Sequence, residues 1–310
     1  MAFDLAIIAG PTAAGKSETA IALAHIINGE IVSADSIQVY RRMDIGSAKP
    51  DTEMMQGIKH HMIDILEPDE DYNVSCFVRR AEKEIEDIRG RRAFPIICGG
   101  TGFYIRALLH GIEFAEGETD PVLRERLTEE TEAYGISRME EKLASFDPVS
   151  AGLYHGNAKR IIRAIEYHEL TGRLLSDKNF EERNKAPVYD AAYFVITMPR
   201  DMLYERINRR VDLMMDRGLV DEVKKLKESG VKRDMTSMQG LGYRQIYDHL
   251  EGRYDLATAV DEIKKQTRHF AKRQLTWFRK EKNVIWIDVT EHNGSVDMAE
   301  YMAGYINGQV

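Results

Sequence analysis

Short apolar runs that end in turn residues recur along most of this chain. Runs of about four to eight apolar residues are typical of buried strands, because both faces of such a strand are covered. The chain contains several runs of this kind, separated by more polar stretches. They predict strands at 5–9, 31–34, 94–98, 193–198 and 284–289.

Between most of these runs, apolar residues recur at the spacing of an amphipathic helix. Asp120 followed by Pro121 is typical of a further helix start. Strands that alternate with helices favour a parallel sheet with helices on both faces, so the pattern predicts an α/β fold. The helical patterns lie at 18–27, 74–89, 103–109, 157–170, 203–229 and 256–279.

The stretch from 116 to about 185 carries many charged residues at helical spacing and no strand pattern. We interpret it as a helical insertion between the third and fourth strands. The chain is therefore divided into a first part of the core at 1–115, an insertion at 116–190 and a return to the core at 191–310.

Composition narrows the class of protein. With 310 residues, 43% hydrophobic residues and a net charge of -8, the chain is globular, and collagen-like, mucin-like and wholly disordered classes are excluded. Apolar runs fall short of the roughly 18 to 20 residues that span a bilayer, and the first ten residues lack a basic leader. We expect a cytoplasmic monomer without a membrane partner.

The two cysteines indicate neither a metal site nor a disulfide framework. Cys76 and Cys98 stand too far apart for a metal knuckle and are too few for a disulfide framework. Cys98 lies in the apolar run of the third strand, so we expect it to be buried.

A basic segment at 263–282 departs from the acidic balance of the whole chain. It holds eight Lys and Arg residues against one acid, a net charge of +7. Aromatic residues lie among these charges, an arrangement that indicates a nucleic-acid surface. We expect two of the aromatics, Trp277 and Phe278, to pack in the core instead.

The first strand is followed by a phosphate-binding signature, G-x-x-x-x-G-K-[ST]. Its backbone N–H groups and the following helix N-terminus attract phosphate oxygens, while the lysine adds charge and the serine hydroxyl is a Mg²⁺ ligand. The signature predicts a P-loop NTPase-like sheet that binds a di- or triphosphate. It comprises Gly10, Pro11, Thr12, Ala13, Ala14, Gly15, Lys16 and Ser17.

The third strand ends in a glycine-rich turn before Thr101, without the magnesium-holding Asp of many P-loop ATPases, and no Asn-Lys-x-Asp guanine signature is present. An acid, Asp35, instead follows the second strand. Ligands of open parallel sheets bind beyond the carboxyl ends of strands, so Asp35 is a candidate proton acceptor next to the phosphate loop. Its alternative role is an Asx turn or a helix cap. Thr101 offers a hydroxyl to the same crevice.

The segment 240–245, GLGYRQ, combines a flexible loop with an aromatic ring, a guanidinium and an amide. Such groups stack on unpaired bases and bond to them. By itself the segment is more typical of an ordinary loop with a surface tyrosine, and the basic segment at 263–282 is what favours the nucleic-acid interpretation.

Taken together, seven ordered motifs resemble those of the tRNA dimethylallyltransferases, also called isopentenyl-diphosphate:tRNA transferases, over nearly the whole chain. The resemblance implies transfer of a dimethylallyl group from dimethylallyl diphosphate to N6 of adenosine 37, beside the tRNA anticodon, without ATP hydrolysis. The motifs are GPTAAGKS at 10–17, ADSIQVYRRMDIGSAKP at 34–50, HHMIDI at 60–65, GGTGFY at 99–104, NAKRIIRAIE at 157–166, GLGYRQ at 240–245 and TRHFAKRQLTWFR at 267–279.

The resemblance also implies roles for individual residues. Asp35 is the general base or hydrogen-bond acceptor for N6, and Thr101 lies beside the reacting centre. Lys16, Ser17 with Mg²⁺, and Arg210 hold the diphosphate, although Arg206, Arg209 and Arg217 are rival guanidiniums in the same helical stretch.

The implied tRNA partner binds through its anticodon loop, with the target adenine flipped out of its stack. The insertion then acts as a mobile clamp on the loop. The implied contacts with tRNA are Asp35, Ser36, Ile37, Gln38, Thr101, Lys159, Arg160, Ile161, Ile162, Arg163, Gly242, Tyr243, Arg244, Gln245, Arg268, Lys272 and Arg273.

Three other functions are compatible with the phosphate loop and Asp35. A small-molecule P-loop kinase would use ATP and orient a hydroxyl with the same acid. An adenylate isopentenyltransferase would modify free AMP or ADP, for which the insertion and the basic segment are unnecessary. A nucleotide-switched RNA binder would hold RNA and transfer nothing.

Overall fold

The computed structural model describes residues 3–114 and 119–309. It divides into two compact units: a core unit made of Met1–Leu109 and Tyr189–Val310, and an insertion unit at His110–Val188. The ends of the insertion unit are tied together, since His110 Nδ1 lies 2.7 Å from the backbone oxygen of Lys185. The unit starts at His110, several residues before the boundary predicted at 116.

The core unit is built on one six-stranded sheet in which every neighbouring pair of strands is parallel. The predicted α/β fold class is confirmed. The strand order is β3-β2-β4-β1-β5-β6. The strands are β1 Leu5–Ala9, β2 Gly29–Ser33, β3 His60–His61, β4 Phe94–Gly99, β5 Ala191–Thr197 and β6 Ile285–Asp288.

One of these strands, β3, is absent from the sequence prediction. It has two residues, and His60 pairs with Ile31 of β2 at the edge of the sheet. Two residues with imidazole side chains show neither an apolar run nor an alternating pattern, so periodicity has nothing to detect.

The described residues contain fourteen α-helices. Four precede the insertion, five form it and five follow it. The helices are α1 Lys16–Ile27, α2 Thr52–Met55, α3 Val74–Gly90, α4 Gly102–Leu109, α5 Pro121–Tyr134, α6 Ile136–Ala144, α7 Pro148–Tyr154, α8 Ala158–Thr171, α9 Leu175–Asn184, α10 Arg200–Asp216, α11 Leu219–Glu228, α12 Tyr243–Leu250, α13 Leu256–Phe278 and α14 Ser295–Ile306.

Capping residues set several helix boundaries. The Asn73 side chain accepts from Cys76 N at the start of α3, and Asp255 accepts from Thr258 N at the start of α13. The stretch predicted as helical at 203–229 is two helices, because Gly218 adopts φ 92° between α10 and α11. That left-handed conformation ends a helix and suits glycine.

The core of this unit lies between the sheet and its covering helices. Ile8, Ile96 and Phe194 from neighbouring strands are fully buried together with Met302 of α14. Cys98 is buried in β4 as predicted, and neither cysteine forms a disulfide. Of the two aromatics predicted to pack in the core, Phe278 is completely buried and Trp277 is partly exposed. Among the described residues, no helix is both long and apolar enough to cross a membrane.

The insertion unit has its own apolar core, in which Leu127, Leu143 and Ile165 are fully buried. Ile161 and Ile162 belong to this core, with 0% and 6% of their surfaces exposed. Their side chains point inward, so any contact of these two residues with tRNA would be made by backbone atoms, and that contact stays a prediction.

A buried carboxylate ties the insertion unit together. Glu166 of α8 is fully buried and accepts from Arg124 Nη2 at 2.8 Å, from Arg163 Nη1 at 3.2 Å and from Asp120 N at 3.0 Å. A buried charge of this kind needs several partners. Arg163 thus has a structural ion pair inside the unit.

Candidate active site

The phosphate loop lies at the carboxyl edge of the sheet, between β1 and α1. Gly10 adopts φ 142°, and a Cβ there would collide with the backbone oxygen of Ile196 in β5. Glycine is thus required where the loop leaves the sheet. At the start of α1, the N–H groups of Gly15, Lys16 and Ser17 find no acceptor among the described residues, which is the usual condition of a helix N-terminus.

Lys16 folds back along this loop, and its Nζ donates to the backbone oxygen of Pro11 at 2.8 Å. Burial lowers the pKa of Lys16 to about 8, an effect opposed by Cys98, reinforced by the charge of Arg210 and opposed again by Asp35. A bound phosphate would place negative charge beside this ammonium group and stabilise its protonated form.

Arg210 of α10 is the guanidinium that reaches this region. It lines the same cavity as Lys16 and Asp35, whereas its rivals Arg206 and Arg209 are exposed on other faces of the helix. Burial lowers the pKa of Arg210, and Asp35 acts in the opposite direction. The structure thus places one arginine of this stretch beside the phosphate loop.

The cavity has a volume of about 510 Å³. Its walls include Thr12, Lys16 and Ser17 from the phosphate loop, and Asp35 and Thr101 from the ends of β2 and β4. Ligands of open parallel sheets bind at this edge. All these residues belong to the core unit, so one cavity joins the phosphate loop to the candidate acid.

Asp35 forms the Asx turn that its sequence position allowed, and it also lines the cavity. Its Oδ1 accepts from Ile37 N at 2.8 Å and from Gln38 N at 3.2 Å, which is an Asx turn. Its Oδ2 accepts no hydrogen bond from the described residues. One oxygen therefore holds the carboxylate in place, and the other remains available to a ligand in the cavity.

Gln38 lines the same cavity, but its amide bonds within the protein. Oε1 accepts from Ser33 Oγ at 3.0 Å, and Nε2 donates to the backbone oxygens of Ser47 and Ala48 at 3.4 Å. The neighbours Ser36 and Ile37 also line the cavity, with both side chains partly exposed. Between these neighbours, Ser36 is the one with a hydroxyl to offer to a nucleotide.

Thr101 is brought close to Asp35 by the glycines before it. A Cβ on Gly99 would collide with the backbone of Ala34, and Thr101 N donates to the oxygen of Ala34 at 3.4 Å. The loop after β4 thus packs directly against the end of β2.

In the GLGYRQ segment, two of the side chains predicted to bind bases, Tyr243 and Gln245, are buried. Tyr243 is fully buried, and its hydroxyl donates to Glu222 Oε1 at 2.7 Å and accepts from Ser47 N at 3.2 Å. Gln245 Oε1 accepts from Gly242 N at 3.0 Å and caps α12. Buried groups with these partners have no face to offer to a base.

The signal for this burial is in the sequence. Tyr243, Ile246 and Tyr247 recur at i, i+3 and i+4, the spacing of an inward helix face. All three are buried. Within the segment, Arg244 lines the cavity and is partly exposed, so it keeps its candidate role in ligand contact.

The basic segment supplies an exposed charged face and one buried amide. Lys272 and Arg273 are exposed on α13, and the Arg273 guanidinium lies 5.7 Å from the Phe270 ring centroid. Arg268 donates to Asn208 Oδ1 at 2.6 Å, which fixes it against α10. Two arginines of the segment are thus held in defined positions, and Lys272 projects into solvent.

The buried amide belongs to Gln274, which the sequence analysis missed. It is 6% exposed; its Oε1 accepts from Thr12 N at 2.9 Å, and its Nε2 donates to the oxygen of Gly100 at 2.9 Å. The available signal was an uncharged polar residue on the same helix face as Ala271 and Phe278. Its partners are distant in sequence, so local patterns do not reveal them.

On the insertion unit, the candidate tRNA contacts lie at the start of α8. Lys159 and Arg160 are exposed, and the Arg160 guanidinium lies 5.6 Å from the Tyr154 ring centroid. These two residues form a basic surface. Arg163 is half-buried through its bond to Glu166.

The donor set suits a magnesium ion held together with a phosphate. Among the residues that the structure describes, no group of three His, Cys, Asp or Glu side chains could hold a metal by itself. Ser17 and Asp35 nevertheless contribute oxygen atoms to one cavity beside the phosphate loop. Mg²⁺ is typically bound by one or two protein oxygens with phosphate oxygens and water completing its shell.

Comparison with known proteins places this geometry in a family. A family model described as IPP transferase matches residues 38–281, and one described as isopentenyl transferase matches residues 3–67. The chain is 48% identical to the tRNA dimethylallyltransferase of Lachnoclostridium phytofermentans over 96% of both chains. It is 44% identical to that of Bacillus cereus strain AH187, covering 97% of this chain and 94% of the relative.

Solved structures agree with these matches. The full-length tRNA isopentenylpyrophosphate transferase of Bacillus halodurans is 41% identical with a TM-score of 0.75, covering 98% of this chain and 96% of that one. A eukaryotic dimethylallyltransferase acting on tRNA is 25% identical with a TM-score of 0.80, covering 99% and 80%. The cavity, which joins the phosphate loop to an acid and an arginine, is consistent with these matches. Because the family model covers most of the chain and the relatives are similar over nearly its whole length, this chain belongs to the IPP transferase family.

Proposed function

We propose that this protein transfers the dimethylallyl group of dimethylallyl diphosphate to N6 of adenosine 37 in tRNA, giving N6-isopentenyladenosine and diphosphate. The observation that carries the proposal is the shared cavity. It brings Asp35 and Thr101 together with the phosphate loop and Arg210. The full-length relatives support the same reaction.

In the proposed reaction, the N6 amine attacks the allylic carbon while the bond from that carbon to the diphosphate oxygen breaks. Diphosphate leaves with the bonding electron pair, and N6 loses a proton. Asp35 suits the role of hydrogen-bond partner and proton acceptor because Oδ1 holds it in place while Oδ2 stays available.

The leaving diphosphate gains negative charge as the bond breaks, so groups that neutralise it stabilise the transition state. Lys16, Arg210 and the N–H groups at the start of α1 occupy suitable positions along the cavity. Mg²⁺ held by Ser17 and the phosphates would add further charge stabilisation.

The proposed macromolecular substrate is the anticodon loop of tRNA. Lys272 and Arg273 on α13 and Lys159 and Arg160 on α8 are exposed and suit contacts with phosphates. The adenine would enter the cavity flipped out of its stack. A tRNA substrate leads us to expect a cytoplasmic enzyme.

The test is a transfer assay with labelled dimethylallyl diphosphate, Mg²⁺ and an unmodified tRNA anticodon stem-loop. We expect label in the stem-loop, no label when adenosine 37 is replaced by guanosine, and no dependence on ATP. Label appearing in AMP instead would favour an adenylate isopentenyltransferase. ATP consumption with a small hydroxyl substrate would favour a kinase.

A further inference from the structure

Gln274 closes one end of the phosphate loop. Of the backbone N–H groups in the first half of the loop, that of Thr12 donates to Gln274 Oε1 at 2.9 Å. The N–H groups of Gly15, Lys16 and Ser17, at the other end, have no acceptor among the described residues. The two ends of the loop therefore differ: one is open to phosphate oxygens and the other is already occupied by an amide oxygen.

Lys16 shows which end would receive the terminal phosphate. In loops of this type the lysine binds the terminal phosphates of the bound ligand. Here Nζ lies 2.8 Å from the oxygen of Pro11, beside Thr12. A phosphate chain lying along the loop would thus end near the residues that Gln274 covers.

The Gln274 side chain is held firmly in this position. It is 6% exposed, both polar atoms of its amide are bonded, and Nε2 ties it to the oxygen of Gly100. A Cβ on Gly100 would collide with this amide, so the glycine loop and the side chain fill the space between them. Rotating the amide away would break both hydrogen bonds.

We propose that Gln274 is a specificity-determining residue that limits the donor site to a diphosphate and excludes a triphosphate. The amide fills the space beyond the second phosphate. It also removes the Thr12 N–H as a donor and presents an oxygen lone pair that repels a further anionic oxygen. This inference rests on the proposed function, and it explains how a loop of the ATP-binding type selects a prenyl diphosphate.

The test compares the binding of inorganic diphosphate and inorganic triphosphate, each with Mg²⁺, to the full-length protein by titration calorimetry without tRNA. The wild type should prefer diphosphate. Gln274→Ser shortens the side chain and frees Thr12 N–H, and we expect it to shift the ratio of the two dissociation constants toward triphosphate by about tenfold, the effect of one charge-assisted hydrogen bond.

Two further variants make the result specific. Gln274→Glu keeps an acceptor for Thr12 N–H and adds a charge, so it should weaken both anions and retain the preference for diphosphate. Thr276→Ala changes an exposed residue on the same helix, whose hydroxyl donates to the oxygen of Lys272, and should leave the ratio unchanged. Circular dichroism checks that each variant is folded.

The outcomes separate this inference from the proposed function. An unchanged anion ratio in folded Gln274→Ser would overturn the role of Gln274 while leaving prenyl transfer intact. Wild-type protein that binds neither anion would overturn the donor site itself, and with it both proposals.

Discussion

At the scale of single residues, the site depends on side chains that bond to the protein and also line the cavity. Asp35 anchors itself with Oδ1 and leaves Oδ2 for a ligand, and Lys16 bonds to its own loop while facing the cavity. For Lys16, burial lowers the pKa.

Asp35→Asn separates the chemical role of Asp35 from its structural one. The asparagine Oδ1 still accepts from Ile37 N and Gln38 N, so the turn persists, but the amide is a much poorer proton acceptor. We expect turnover to fall by about 10²- to 10⁴-fold with little change in tRNA affinity. Single-turnover kinetics and a binding titration measure the two effects. Near-wild-type rates would exclude Asp35 as the base.

The lowered pKa of Lys16 leads us to expect that binding of dimethylallyl diphosphate depends on pH. Because burial lowers its pKa to about 8, its charge is present below that pH and is lost as the pH rises through it. The affinity for dimethylallyl diphosphate should therefore fall above about pH 8, by up to about tenfold per unit. Lys16→Arg is the matched control, since a guanidinium stays charged over this range. The same pH profile in both proteins would contradict the assignment.

At the scale of elements, a carboxylate on α11 organises the loop that forms one wall of the cavity. Glu222 accepts from the backbone N–H groups of Asp44, Ile45 and Gly46, and from the Tyr243 hydroxyl. A Cβ on Gly46 would collide with the Tyr243 ring, which therefore packs directly on the loop. Helices α11 and α12 thus hold a loop whose Ser47 oxygen accepts from the Gln38 amide.

Tyr243→Phe tests this arrangement. The ring remains, but Glu222 loses one donor and Ser47 N loses its acceptor, so we expect the free energy of unfolding to fall by about 1 to 3 kcal/mol. Urea denaturation measures it. Tyr134→Phe, at an exposed tyrosine of α5, should change nothing. Unchanged stability in Tyr243→Phe would contradict the structural role of this hydroxyl.

At the scale of the whole molecule, charge is distributed unevenly. The chain carries a net charge of -8, yet α13 and the residues just after it concentrate positive charge. Some of these cations already have partners: Lys264 pairs with Asp212 and Lys265 with Glu262. Lys272 and Arg273, by contrast, are exposed farther along the helix. Position on α13 therefore separates cations used inside the protein from those that face outward.

Lys272→Glu combined with Arg273→Glu should weaken tRNA binding. Each lost phosphate contact lowers the slope of log affinity against log salt by about 0.7 to 0.9, so two contacts should flatten it by about 1.5. Lys264→Glu with Lys265→Glu makes the same charge change on the paired residues and should affect the slope less. Equal slopes in the wild type and the Lys272, Arg273 variant would place the tRNA surface elsewhere.

The sequence alone determined the α/β class, the phosphate loop and the presence of an acid after the second strand. These features are local: an apolar run, a helix period or a glycine spacing is written in neighbouring residues. For the same reason the short strand β3 was missed, and the helical stretch at 203–229 was not divided at Gly218.

Only the tertiary structure decided which side chains meet. Gln274 bonds to Thr12 across 262 positions, and Tyr243 bonds to Ser47 across 196. Ile161 faces a core that five helices build together. Burial and hydrogen-bond partners depend on the packing of elements that are distant in sequence. The chain's local pattern specifies the elements, and their packing specifies which polar groups remain free for a substrate.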